Sequence, residues 1–188
     1  MIGRSVRRRA FWVMAAASVA LMLYLAFALF GVHKLLYDEV VNEDFAAGRA
    51  TGEGASGRPE GLEAVASGEF HAVAHPGVGK AIVYRLKDGS CTLRLENLDI
   101  FNGPDLYVYA VAAGDADDDE TVLESGFLNL GRLKGNQGNQ TYALPEGFDP
   151  EEHRAISVWC RRFSVNFATA PLKLVKARYN PERGRGKG

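Results

Sequence analysis

The sequence predicts an all-β, sandwich-like domain preceded by one N-terminal transmembrane helix. Three observations carry that reading. Residues 10–32 hold no charged side chain and are dominated by Ala, Leu, Phe, Val and Met. From residue 66 to about 175 the apolar residues recur with a period of two, with turn signals roughly every eight to twelve residues. No amphipathic helix of ordinary length is legible in that stretch, and short strands in such number call for two packed sheets.

Residues 1–9 form a basic N-terminus with Arg4, Arg7, Arg8 and Arg9. The apolar run behind them, about 23 residues at about 1.5 Å rise, covers roughly 34 Å, enough to cross a hydrocarbon core with some tilt. Asp38, Glu39, Glu43 and Asp44 follow it. Basic residues before the span place the N-terminus in the cytoplasm and the body on the periplasmic or extracellular side of the cell membrane. Two other readings use the same segment. Ala26-Phe27-Ala28 is a small-residue cleavage pattern, but the apolar run is long for a signal peptide and continues past it. Arg8-Arg9 suggests twin-arginine export, but the residue before the pair is Arg7 rather than Ser or Thr. An uncleaved, single-pass anchor is the reading adopted.

Residues 33–65 are expected to extend the helix to about Asn42 and then become a flexible linker, rich in Gly, Ala, Glu, Arg and Ser, from Glu43 to Leu62. Residues 66–176 are the β-domain, and residues 177–188 a disordered basic tail. The formal net charge of −1 hides an asymmetry, since the basic residues at both ends leave the middle at about −9. So acidic a body is unsuited to nucleic acid, whose binding rests on neutralising phosphates with Lys and Arg.

Nine strands are expected: 68–74, 80–86, 91–98, 106–111, 124–130, 140–144, 155–160, 163–168 and 172–176. Asp88-Gly89 is a strong hairpin signal because both residues tolerate positive φ. Pro104 ends the Asn102-Gly103-Pro104 turn. Alternation puts Cys91 on the face of Leu93 and Leu95, and Cys160 on the face of Ile156 and Val158, so both thiols point inward. Outside the cytoplasm a Cys91–Cys160 disulfide is chemically permitted. Closing its loop of about 69 residues would contribute roughly 4 kcal/mol in the chain-entropy model.

Three phrases carry a resemblance. They are Asn102-Gly103-Pro104-Asp105-Leu106-Tyr107-Val108-Tyr109, then Leu130-Gly131-Arg132-Leu133-Lys134-Gly135-Asn136-Gln137-Gly138-Asn139-Gln140-Thr141-Tyr142, then Val158-Trp159-Cys160-Arg161-Arg162-Phe163-Ser164-Val165. In order and spacing they resemble the electron-transfer DM-thirteen domain family, the Skeletor- and Knickkopf-type domain often found beside DOMON domains. The resemblance covers residues 67–172. It implies an extracytoplasmic, sandwich-like domain whose characteristic cysteine, matched by Cys160, has been proposed as a redox centre, as a bare thiol or as a ligand to a prosthetic group such as haem. Cys91 is a departure from the family's core motif.

Cys160 therefore has three readings: half of a disulfide with Cys91, a redox or haem-ligating thiol with Trp159 beside it, or an inert buried thiol. His71 and His75 would have metal-ligand spacing on a helix but lie about 13 Å apart on a strand. They read as surface histidines, as does His153. Asp115, Asp117, Asp118, Asp119 and Glu120 lack the spacing and glycine of a calcium loop and read as a solvated tip. The amide-rich loop 134–140, with Tyr107, Tyr109 and Tyr142, has the chemistry to meet sugar hydroxyls and ring faces, set against ordinary hairpin turn chemistry. No catalytic constellation or phosphate-cradling glycine pattern is recognisable. Two functions follow as expectations. One is a redox or electron-transfer accessory centred on Cys160, working with an envelope redox protein. The alternative is a non-catalytic envelope or cell-surface module for a glycan or protein, stapled by the disulfide.

Overall fold

A computed structural model of the chain describes residues 4–29, 37–44 and 62–175. The chain divides into two units, one holding the N-terminal helix and the turn 102–104, the other the β-domain. In the first, α1 (Arg4–Leu29) is one continuous helix, and its Val6–Phe27 stretch is long and apolar enough to cross a membrane. Large apolar side chains lie exposed around its circumference, Phe11, Trp12, Leu23 and Tyr24 among them. Residues 30–32, the end of the expected span, lie outside the described residues, as do the tail 176–188 and most of the expected linker, 45–61.

The β-domain is a two-sheet sandwich, as the alternation predicts. One sheet has the order β1 (Val40–Asn42), β8 (Gln137–Ala143), β5 (Cys91–Ile100), β4 (Gly77–Arg85), β2 (Glu63–Glu69), β11 (Lys173–Leu174). The other has the order β3 (His71–Ala72), β10 (Val165–Pro171), β9 (Ala155–Cys160), β6 (Leu106–Val111), β7 (Phe127–Arg132). The core between them takes Ala81, Val83, Leu93, Leu95 and Tyr142 from the first sheet and Val108, Ile156, Val158, Phe167 and Ala168 from the second. Strands β6 and β9 have the ends expected from sequence, and Gly89 (φ 88°) makes the tight β4–β5 turn.

Two devices bend the alternation rule. In β5 the inward set passes from Leu93 and Leu95 to Leu98 and Ile100, a change of parity that would turn half the strand outward. A bulge absorbs it: Asn97 has φ 49°, Gly79 opposite has φ 132°, and the pairing shifts on both sides. At one edge the chain crosses between sheets twice. Phe70 links β2 to β3, and Leu172 links β10 to β11, both nearly fully buried. A Cβ on Gly68 would lie 2.1 Å from the Pro171 carbonyl oxygen, so only glycine lets these corners approach. The single strand expected over 68–74 is thus a corner.

Four further expectations are corrected. Over its described part, residues 37–42, the expected helical extension is not helical, because Val40–Asn42 pairs as a parallel strand with β8. Glu43, expected to open the linker, is tied to β8 as well. The acidic run is no bare loop tip. Asp118 caps a short helix, α2 (Asp119–Glu124), by accepting the Thr121 N–H at 2.6 Å, and this helix buries Val122. The strand expected at Glu124 therefore begins only at Phe127.

Residues 112–126, which carry α2, close a second core on the outer face of the second sheet, against Tyr109, Val111, Ala155 and Trp159. Its polar floor is the fully buried set Ser157, Asn166 and Thr169. The Asn166 carboxamide and the Thr169 hydroxyl both donate to the Ala116 carbonyl at 2.8 Å, and the Asn166 N–H donates to Asp119 at 2.6 Å. This cover is why β9 is buried on both faces although a sandwich strand usually presents only one.

Candidate functional site

Trp159 and Cys160 are chain neighbours in different surroundings. Alternation along β9 turns Cys160 into the inter-sheet core, fully buried in the apolar cluster that holds Leu106, Val108 and Val158. Trp159 points to the opposite face, 3 % exposed beneath residues 112–126. The expected packing of the indole alongside the thiol therefore does not occur.

The expected disulfide is not formed, and both cysteines are free. Cys91 does face the same core, at its margin. The obstacle is its position along the sandwich. Cys160 pairs with Leu106, at the end of the domain where β5 finishes with Ile100. The β7–β8 connection ties that end together, with Ile100 N–H donating to the Asn136 carbonyl at 2.9 Å and Leu133 N–H to the Leu106 carbonyl at 2.9 Å. Cys91 starts β5 at the other end, roughly 30 Å of strand away, whereas a bridge needs Cα atoms within about 7 Å.

Parts of all three phrases meet at the Cys160 end. Asp105, just before β6, accepts Arg161 Nε at 3.2 Å and is also paired with Arg132 of β7. The Arg161 N–H donates to the Asp105 carbonyl at 3.0 Å. Burial opposes ionisation of Asp105, but the two guanidiniums outweigh it and hold its carboxyl below the ordinary range. Arg161 lies over the Tyr107 ring at 4.4 Å, and Arg132 approaches the same ring at 5.7 Å. Tyr107 is the direct cross-strand partner of Trp159. From Trp159 the rings continue to Tyr109 (centroids 6.3 Å apart) and on to Phe127, stacked on Tyr109 at 4.2 Å and reaching the surface. Arg132, Arg161 and Phe127 were not singled out from sequence. The charge signal was present in the phrases, but pairing across 27 and 56 residues is a tertiary fact.

The second phrase builds an internal network. Gln140 is fully buried, its carbonyl oxygen accepting the Tyr142 hydroxyl at 2.8 Å and the Lys134 N–H at 3.1 Å, while its amide nitrogen donates to the Gly135 carbonyl. Burial pushes the Tyr142 hydroxyl well above its ordinary pKa. Gly131 (φ 111°) lies at a bulge within β7, where Asn129 accepts its N–H at 2.9 Å. Asn139 accepts the Asn97 N–H at 2.9 Å, fixing the bulge. Asn136, Gln140, Tyr109 and Tyr142 are buried, so of the groups expected to face a sugar the Gln137 and Asn139 amides and the Tyr107 ring keep partly exposed surface. In the other unit, Asn102 accepts the Gly103 N–H at 2.9 Å and donates to the Tyr37 carbonyl; Pro104 closes that turn.

The histidines are separated. His71 Nε2 meets Asp115 at 3.0 Å, and His75 lies between the rings of Phe101 and Phe167. His153, expected at the surface, is buried against Phe148. Among the described residues no group of three or more His, Cys, Asp or Glu side chains could hold a metal ion. Haem does not fit Cys160 either. A macrocycle on sulfur requires a cavity of several hundred Å³, and this sulfur is enclosed by packed core side chains.

No match was found among curated proteins or among solved structures. The sequence profile of the electron-transfer DM13 family matches residues 69–172, from the end of β2 to the corner at Leu172. That is more than half of the 188 residues and contains every part of the site just described. The chain belongs to the electron-transfer DM13 family.

Proposed function

We propose that this protein is a membrane-anchored electron-transfer accessory, with α1 as a single-pass anchor and the β-domain on the extracytoplasmic side. The arginines before the span support that orientation. We place the redox centre at the β9 end, with Cys160 acting as a bare thiol. The supporting observation is the convergence of Asp105, Arg132, Tyr107, Trp159 and Cys160 on one end of the sandwich, where a row of rings runs from Trp159 to the surface at Phe127. Cys160 is fully buried, so soluble oxidants do not reach the sulfur. One-electron oxidation of Cys160 would release the thiol proton and leave a sulfur radical, the electron passing by way of the rings to an envelope redox protein as its acceptor.

The test uses the full chain in detergent, by voltammetry and by absorbance between roughly 350 and 450 nm. A colourless protein whose redox wave is lost in Cys160→Ala and weakened in Trp159→Phe supports this reading. A wave that survives Cys160→Ala but not Trp159→Phe moves the centre to the rings. A haem band overturns the bare-thiol assignment, and the absence of any wave overturns the redox role.

A further inference from the structure

The residues just past the membrane helix make an unusually complete set of contacts with the edge of β8. Val40, Val41 and Asn42 pair in parallel with Gln137, Gly138 and Asn139. The Gln137 N–H donates to the Glu39 carbonyl at 3.2 Å, and the Glu43 N–H donates to the Asn139 carbonyl at 2.9 Å. Side chains close both ends. Asn136 accepts the Glu39 N–H at 2.6 Å and donates to the Asp38 carboxylate at 2.7 Å. At the far end the Glu43 carboxylate takes the Lys134 ammonium at 2.6 Å and the Thr141 N–H at 2.8 Å, and midway Asn139 donates to Asn42 at 3.0 Å. Burial works against the Glu43 charge, but Lys134 and the Thr141 N–H outweigh it and hold the carboxyl below its ordinary range.

The floor is shaped for a backbone. A Cβ on Gly135 would lie 2.3 Å from the Glu39 carbonyl oxygen, and one on Gly138 would lie 2.1 Å from that of Val41. At Gly138 φ is also +99°, which disfavours any side chain. Two glycines that admit a neighbouring strand, flanked by an amide that reads one carboxylate and an ammonium that reads another, form a built site.

We propose that the β8 edge from Lys134 to Thr141 is a peptide-binding cleft for an extended acidic segment, and that its ligand is the chain's own residues 38–43. Recognition is by strand addition: main-chain bonds supply the attachment, and the two terminal carboxylates set the register. The juxtamembrane segment is then a bound ligand of the domain, and residues 45–61 connect two strands of one sheet instead of tethering the domain to its anchor. This inference is independent of the redox reading.

The experiment uses full-length protein in detergent micelles. Amide hydrogen exchange is expected to show residues 39–43 protected at least about ten-fold over the same sequence as a free peptide, a factor equivalent to about 1.4 kcal/mol. Glu43→Lys should abolish most of that protection while the exchange of β4 and β5 stays unchanged. A full-length variant with residues 38–43 replaced by glycine and serine should bind a labelled octapeptide of the sequence 37–44 saturably, and the Glu43→Lys peptide at least about ten-fold more weakly. Wild-type protein, its cleft filled, should bind neither well. Unprotected amides at 39–43 in the wild type overturn the proposal, as does a replaced variant that keeps its β4 and β5 protection yet does not bind the octapeptide.

Discussion

Asn166 carries more of the site's order than its lack of any chemical role suggests, and its replacement can be worked out from the structure. It is fully buried and accepts from Ser157 at 2.8 Å while donating to Ala116 and Thr169 at 2.8 Å each. At about 1 kcal/mol net per bond, Asn166→Ala should cost about 3 kcal/mol. Asn166→Asp keeps the volume but sets a carboxylate oxygen against the Ala116 carbonyl and adds a charge near Asp119. An uncompensated buried charge costs about 3 to 5 kcal/mol, so Asp should be worse than Ala. Urea unfolding of the full chain in detergent gives the loss from the shift in midpoint at constant m. Near-UV circular dichroism of each variant, below its transition, should show the signal of Trp159 weakened, because Ala116 is the point at which the cover over that indole is tied down. A loss below about 1 kcal/mol for both variants, or Asp milder than Ala, would refute this account of the second core.

Thiol titration of the unfolded, unreduced protein should find two free thiols, and in the folded protein Cys160 should stay unreactive. A count of zero before reduction would contradict the placement of Cys91 and Cys160 at opposite ends of the sandwich. His71 is partly desolvated, which alone would lower its pKa, but Asp115 outweighs that and raises it above the ordinary value. Because the folded pKa is the higher, the ion pair's stabilisation is fully present below about pH 6.5 and is lost as pH rises through the folded value. Titration of the His71 ring resonances should give a raised midpoint that falls back in Asp115→Asn. Asp105→Asn should destabilise the domain by about 1 to 3 kcal/mol through the loss of its bonds to Arg132 and Arg161. Its carboxyl is held low, so the gap from wild type should persist down to about pH 4 and close only as pH falls through the lowered value.

What depends on neighbours along the chain was legible before any fold was known. Alternation defined Leu106–Val111 and Ala155–Cys160 to the residue and turned both thiols inward, because side chains on a strand take opposite faces in turn. Asp88-Gly89 marked its hairpin because positive φ is a local demand. Three separated phrases identified the family. Only the tertiary structure decided where along the sandwich each inward residue sits. Facing the core is a matter of parity, whereas reaching a partner is a matter of register and strand length, and that distinction keeps Cys91 from Cys160. It also decided that the acidic run covers Trp159 and that Glu43 belongs to the domain. Both depend on partners with no local signature: Asn166 beneath the Ala116 carbonyl and Lys134 opposite Glu43, 50 and 91 residues apart.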